Sequence, residues 1–374
     1  MPYGVLIVTG GMSHQENYAA GFQQDPRCKV IAVTDEASVD ERRARLNQAL
    51  ADQLKVPHVR DLREALALPG VDLASICTEH HRQGRVAIQC AEAGKHLYID
   101  KPMAGNLEEA RKLAAIVRAK KLRTQMFTQV LLPYAQRVRR ILRRGQVGEL
   151  RAIHCDLHFA KGFSDSPPLA RRKETASPDM FLVPDAKREM FNIAVYSLAM
   201  IRWATGGRPF RTVYATTANY FFNENRQRDF EDFGALTLTL DGGVTATISS
   251  GRVGWRSHPG GGHIRTRIVG ARGSAFVDGG AAHGEICADG QSYWRVPAKN
   301  PADPMAFWSS SDQRKTGGPE WFNAAVAPSD QSAFIDTLEQ NRDAEVTVAD
   351  ALVVLEALFG AYRSAARGEV VRLA

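Results

Sequence analysis

Residues 93–104, Ala93-Gly94-Lys95-His96-Leu97-Tyr98-Ile99-Asp100-Lys101-Pro102-Met103-Ala104, decide how the first third of the chain is read. The helical pattern Arg82–Ala93 runs into Gly94, the residue type that closes a helix in the left-handed conformation. The apolar run Leu97–Ile99 follows and reads as a buried strand. It ends on a charged pair, and Pro102 cannot continue the ladder. A helix, a strand and a charged strand end in this order are one repeat of an alternating fold.

The same alternation extends in both directions. Val5–Val8, Val30–Thr34, Leu73–Thr78 and Arg123–Phe127 have the β-branched character of strands. Glu41–Leu54 and Leu107–Ala119 have helical periodicity, and Asn106 with Glu109 has the spacing of a capping box. Such alternation predicts a doubly wound parallel sheet, covered on both faces. Beyond the helix Tyr134–Arg144 the pattern changes. Arg151–Phe159, Thr212–Phe222, Ala235–Leu240, Val244–Ser250, Arg265–Val269 and Ala275–Val277 alternate with period two. Asp241-Gly242 is a hairpin turn between two of them. Helices return at Met190–Ala204, Ser332–Leu338 and Val348–Ala365. The expectation is an α/β chain: a dinucleotide-binding domain over 1–130, then an α+β domain over 131–374 with a large, open, mainly antiparallel sheet.

At 374 residues the chain is long enough for two cores. Its net charge of +7 is dispersed except for Arg137, Arg139, Arg140, Arg143 and Arg144, a pattern of a solvated helix face without a nucleic-acid module. The five cysteines are scattered and never paired as CxxC, which argues against a disulfide scaffold and a zinc ribbon. His80, His81 and His283 lack metal-ligand spacing, so no metal is expected. Neither a basic leader nor a membrane-length apolar run is present, and the expected location is cytoplasmic.

The turn Thr9-Gly10-Gly11-Met12-Ser13 follows the first strand, where a dinucleotide's pyrophosphate approaches backbone and helix N-terminus. Read onto GxGxxG it places Val8, Gly10 and Ser13 at the three glycine positions. Asp35 ends the second strand, 25 residues after Gly10, where a carboxylate can accept from ribose hydroxyls. Asp35 and Glu36 together would repel a 2′-phosphate and favour NAD; Arg42 and Arg43 keep NADP open.

Asp100-Lys101-Pro102, the run Val71–Thr78, Asn106–Ala110 and Gly145-Gln146-Val147-Gly148-Glu149 resemble the glucose–fructose oxidoreductase/inositol dehydrogenase (Gfo/Idh/MocA) family. Its hallmark at this point is Glu-Lys-Pro. The resemblance implies a nicotinamide-dependent oxidoreductase acting on a small carbohydrate or polyol. It makes Lys101 catalytic and puts Gly10, Gly11, Met12, Asp35, Thr78, Glu79, His80, Gln83, Asp100 and Lys101 around the cofactor. Thr78-Glu79-His80-His81-Arg82-Gln83 replaces the family's usual Thr-Pro-Asn-x-x-His. A second motif, an Asp followed four residues later by His or Tyr, corresponds to Asn192 and Tyr196, which i, i+4 spacing puts on one helix face. Tyr196 then acts as acid/base beside Lys101, and Asn192 orients substrate.

Arg252, Trp255 and His258, in a glycine-rich stretch after a strand, are suited to hydrogen-bonding and stacking on a substrate. His258 and Lys173 are the reserve proton acceptors. Two other readings remain: an internally redox sugar lyase that keeps its NAD, and a cofactor-poor binding or regulatory protein. A homodimer or homotetramer is expected, assembled through outward apolar residues of Ala235–Leu240 and Val244–Ser250.

Overall fold

A computed structural model of the chain describes residues 2–11, 13–160, 188–253, 262–279, 283–288, 320–323 and 329–373. Met12, Lys173, Trp255 and His258 lie outside them.

Six parallel strands form the first sheet: β1 Tyr3–Val8, β2 Cys28–Thr34, β3 His58–Val59, β4 Leu73–Ile76, β5 His96–Ile99 and β6 Thr124–Met126. Their spatial order is β3-β2-β1-β4-β5-β6, the doubly wound order with its switch point beside β1 and β4. Helices α1 Gln15–Gln24, α2 Glu41–Leu54, α3 Leu62–Leu66, α4 His80–Glu92 and α5 Leu107–Lys120 connect them. Val5, Leu6, Ile7 and Val8 of β1 are all fully buried, as a central strand covered on both faces requires. Gly94 follows α4 with φ +75°, in the expected closing role. At α5 only half of the capping box forms: the Asn106 side chain accepts from the Glu109 amide, and Glu109 Oε2 is buried without a partner.

The second sheet contains β7 Leu150–Ala160, β8 Phe210–Ala218, β9 Phe233–Leu240, β10 Thr245–Val253, β11 Gly262–Gly270, β12 Gly273–Asp278, β13 His283–Ala288, β14 Glu320–Asn323 and β15 Val371–Arg372. Of its adjacent pairs only β7–β10 runs parallel, so the sheet is mainly antiparallel. Asp241–Gly243 turns β9 into β10, with Gly242 and Gly243 both at positive φ. One face packs on α6 Pro133–Arg143, α7 Val195–Ala204 and a long C-terminal helix, and there Leu236, Leu238, Leu240, Ala246 and Ile248 are buried. On the opposite face β9 and β10 present Thr237, Thr239, Thr245, Thr247 and Ser249. Apart from Ala235, the residues turned away from their own domain are therefore hydroxyl-bearing rather than the expected apolar ones.

Two strand ends fall short of their sequence patterns for an identifiable reason. β8 stops at Ala218 because the Asp232 carboxylate accepts from the amides of Tyr220, Phe221 and Phe222, which draws them out of the ladder. β4 stops at Ile76 because the Thr78 amide donates to Gln83 Oε1. The chain passes through α8 Asn223–Gln227 before β9, and ends in α9 Asp330–Glu339, α10 Val348–Arg367 and β15. Helix α9 returns to the first sheet, where Phe334 and Ile335 join the core of β1, α1 and Tyr98. The Thr347 side chain and Asp350 form a complete capping box at the start of α10. No described helix is long and apolar enough to cross a membrane.

Candidate active site

The carboxyl end of β5 meets the residues that lead into α7, and this is where Lys101, Asn192 and Tyr196 converge. Lys101 follows β5 and is 4% exposed. Its ammonium donates to the backbone carbonyl and the side-chain oxygen of Asn192, 2.8 Å each. It also lies 4.7 Å from the centre of the buried Tyr196 ring. Asn192 sits in a π-helical turn, Met190–Ala194, that leads into α7. Such widened turns concentrate at functional sites because they re-aim carbonyls and side chains. Here the Phe191 amide donates to the Tyr362 hydroxyl of α10 at 3.0 Å, outside the helical ladder.

Asp100 is fixed from the other side. The Tyr18 hydroxyl donates to Oδ1 at 2.7 Å, and His14 Nδ1 lies 3.3 Å from the same oxygen. Burial alone would raise the Asp100 carboxyl. The His14 hydrogen bond, the charges of His14 and Lys101 and the Tyr18 bond outweigh it, and hold the group ionised well below the usual range. Gln83, in the family's histidine position, accepts from the Thr78 amide and hydroxyl at 2.7 Å each. Its amide donates to the Asp100 carbonyl at 2.9 Å. Thr78, Gln83 and Asp100 thus form one rigid shelf below Lys101. His80 meets Phe191 edge-to-face, ring centres 5.5 Å apart.

Three residues of this region had no distinct signal in the sequence. His14 and Tyr18 are one helical turn apart at the start of α1, and border a cavity of about 560 Å³ with Phe127 and Tyr196. Glu189, buried and one turn ahead of Asn192, accepts from Asn192 Nδ2 at 3.4 Å and pairs with Arg252. Arg252, expected on the substrate, is thereby tied to the Lys101–Asn192 pair through Glu189. An acidic residue three positions before Asn192 on a helix is the one clue that could have found it.

A dinucleotide along this sheet edge meets two different environments. At one end, Lys101, Thr78 and the Asp100 shelf offer polar groups beside Tyr196 that would suit a nicotinamide ring and its ribose. At the adenosine end, Thr9 makes the tight turn with φ +75° in place of a leading glycine, while Val8 stays in the core. Gly10 is needed for close packing: a Cβ there would lie 2.5 Å from Asn47 Cα of α2. Its amide donates to Asn47 Oδ1 at 2.7 Å, and the Gly11 amide reaches the Leu46 carbonyl at 3.4 Å. Asp35 stands at the expected strand end but is 1% exposed. It pairs with Arg82 and accepts from Thr9, Asn47 and the Glu36 amide. Glu79, paired with Arg82 and Arg43, is raised by burial and lowered further by both guanidiniums, to about 2.

Residues 3–128 match the family model for an oxidoreductase family with an NAD-binding Rossmann fold, and 135–276 match the GFO/IDH/MocA C-terminal domain. An uncharacterized oxidoreductase of Bacillus subtilis is 24% identical over 281 residues, 73% of this chain and 74% of that protein. The trans-1,2-dihydrobenzene-1,2-diol dehydrogenase of Sus scrofa is 25% identical over 183 residues. That alignment takes in 48% of this chain and 49%, about half, of that enzyme. An aldose-aldose oxidoreductase of Caulobacter crescentus, solved with glycerol, superposes with a TM-score of 0.72 at 17% identity, covering 100% of both chains. With the family's two models matching the chain in order over 3–128 and 135–276, the chain belongs to the Gfo/Idh/MocA family of oxidoreductases and carries that family's NAD-binding Rossmann fold.

Proposed function

We propose that this protein moves a hydride between nicotinamide and a secondary alcohol of a sugar, an inositol or a related diol. The observation that carries the proposal is the buried Lys101 ammonium, held by both oxygens of Asn192 against the face of Tyr196. The glycine turn, Thr78 and Lys101 would hold the dinucleotide, and the carboxylates of Asp35 and Glu36 beside it would disfavour a 2′-phosphate and so favour NAD over NADP. When bound, it supplies the hydride acceptor for oxidation or the donor for reduction.

The chain's own residues manage the proton and the charge. Lys101 donates to the substrate oxygen and offsets the negative charge that develops as the alcohol loses its proton. Tyr196, as its phenolate, takes that proton and becomes the phenol as the hydride leaves for the nicotinamide, and the alcohol becomes a carbonyl. Asn192 fixes Lys101 and orients a neighbouring hydroxyl; Glu189 and Arg252 hold Asn192 from behind. Assembly through the outer face of the second sheet completes the proposal.

A cofactor-poor binding protein on the same scaffold is the second reading, favoured by the full set of partners already around Asp35. One experiment addresses both. The purified protein is assayed for co-purifying NAD(H), then for NADH formation with sugars, inositols and trans-diols. Turnover with net NADH supports the proposal. Retained NAD with turnover but no net NADH marks the internally redox lyase, and absence of cofactor binding sinks the hydride-transfer reading.

A further inference from the structure

Asp35 and Arg82 form a closed pair at the adenosine end. A carboxylate has about four lone-pair sites. Asp35 receives the Arg82 fork on both oxygens, the Glu36 amide at 2.8 Å, the Asn47 side chain at 3.0 Å and the Thr9 hydroxyl at 3.1 Å. Nothing is left for a ribose diol. Arg82 is equally committed. Its Nε donates to Glu79 at 2.5 Å, and one terminal nitrogen reaches Asp35 and Glu36. The other reaches Asp35 and Thr9, 3.1 Å each. An arginine has five N–H donors, and these contacts occupy them. The guanidinium is therefore not waiting for a phosphate.

The surroundings reinforce the closure. Arg85 grips Glu36 through two nitrogens at 2.8 and 2.9 Å, and Arg43 holds Glu79 at 2.7 Å. Three carboxylates thus face three guanidiniums. Both central side chains are nearly sealed, 5% exposed for Arg82 and 1% for Asp35. The backbone beneath Arg82 is pinned independently by Gln83, which ties Thr78 to Asp100. Only the Arg82 side chain has to leave for the carboxylate to become available.

The geometry points to Arg82 as the residue that sets dinucleotide affinity, by occupying on Asp35 the place a ribose diol would take. This rests on the oxidoreductase reading and adds to it. The adenosine half of the cofactor must compete with an internal ion pair, so it contributes little to binding in the native protein. A fork held at both ends by carboxylates is replaced poorly by lysine, which keeps the charge but not the geometry.

The test is calorimetric titration of NAD, NADP and nicotinamide mononucleotide into the native protein, Arg82→Gln and Arg82→Lys, with an unliganded melting curve for each. Expected is a tenfold or greater tightening for NAD in Arg82→Gln, a smaller one in Arg82→Lys, and less than a twofold change for the mononucleotide. Unchanged or weaker NAD binding in a folded variant overturns the proposal while leaving the oxidoreductase reading intact. So does a selective loss of NADP, which would make Arg82 a phosphate ligand. If Arg82→Gln fails to fold, Arg82→Lys decides by the same criteria. If no form binds any of the three, the functional reading falls, and this inference with it.

Discussion

Lys101 and Asn192 are joined twice, the one ammonium donating to both the main-chain and side-chain oxygens of the amide residue at 2.8 Å. Tyr196 lies on that lysine's flank, its ring centre 4.7 Å from Nζ. The clamp fixes a point charge beside a phenol at the carboxyl edge of a parallel sheet, where such folds bind their ligands. A conformationally free lysine would have to be ordered at each turnover; this one is ordered in advance.

The first prediction concerns that pair. Lys101→Ala should lower kcat about a hundredfold or more, the scale of a lost electrostatic or acid–base group. Tyr196→Phe removes only the hydroxyl and keeps the packing against Phe127 and Phe159. If both residues act on one oxygen, the double variant should lose far less than the product of the single losses. Steady-state kinetics with melting curves check this. Near-native turnover in a stable Tyr196→Phe variant would assign the phenol to packing alone.

Asn192→Asp restores the commoner residue of the family, and the structure indicates the outcome. Asn192 Nδ2 lies 3.4 Å from Glu189, so the substitution sets two carboxylates side by side in a buried turn. Like charges at that distance share a proton, and one carboxyl is pushed upward. The expected result is a fall in kcat/KM of about tenfold at pH 7, partly recovered as the pH is lowered and the extra proton binds. A variant more active than the native protein at pH 7 would show that Glu189 does not already supply the negative charge here.

Much of the architecture was legible because it rests on local periodicity. Helix α2 begins and ends where its pattern does, since Asp40 caps it and Lys55 closes it in the left-handed conformation. Strand limits were misread where side chains took over the backbone, as Asp232 does at Tyr220–Phe222 and Gln83 at Thr78. The meeting of Lys101 with Asn192 and Tyr196 was implied by the family resemblance, and i, i+4 spacing put the last two on one helix face. Its supports were not. Arg82 meets Asp35 across 47 residues, Arg252 meets Glu189 across 63, and His14 meets Asp100 across 86. A salt bridge between distant charged residues has no period to read: Asp35, Asp100 and Arg252 were expected at the site, but nothing in the sequence paired them with Arg82, His14 and Glu189.

The polar outer face of the second sheet predicts the character of its contacts. Tyr214, Thr216, Thr237, Thr247, Ser249 and Arg267 line it, with Tyr214 40% exposed. If a second copy covers this face, it meets hydroxyls and arginines, and the association should weaken with salt as well as with mutation. Light scattering should give a dimer or tetramer at micromolar concentration, and Thr237→Arg should shift it toward monomer. A native protein that is monomeric throughout that range would remove the proposed assembly.

The last prediction concerns pH and the docking of α9. Asp330 opens that helix, and Gln125 of β6 donates to its carboxylate at 2.6 Å. Burial pushes the Asp330 carboxyl up to about 6, against the opposing hydrogen bonds from Tyr98 and Gln125. In the unfolded chain it titrates near 3.9. Between those values the folded state holds a proton that the unfolded chain has released. Its contribution to stability is therefore complete below about pH 4 and lost as the pH rises through about 6. Asp330→Asn fixes the neutral form and keeps an oxygen for Gln125. Relative to the native protein it should gain about 1–2 kcal/mol at pH 8 and nothing at pH 4. Chemical denaturation monitored at both values checks this. An equal gain at the two pH values would mean that the carboxyl does not titrate on unfolding, and that the effect comes from packing alone.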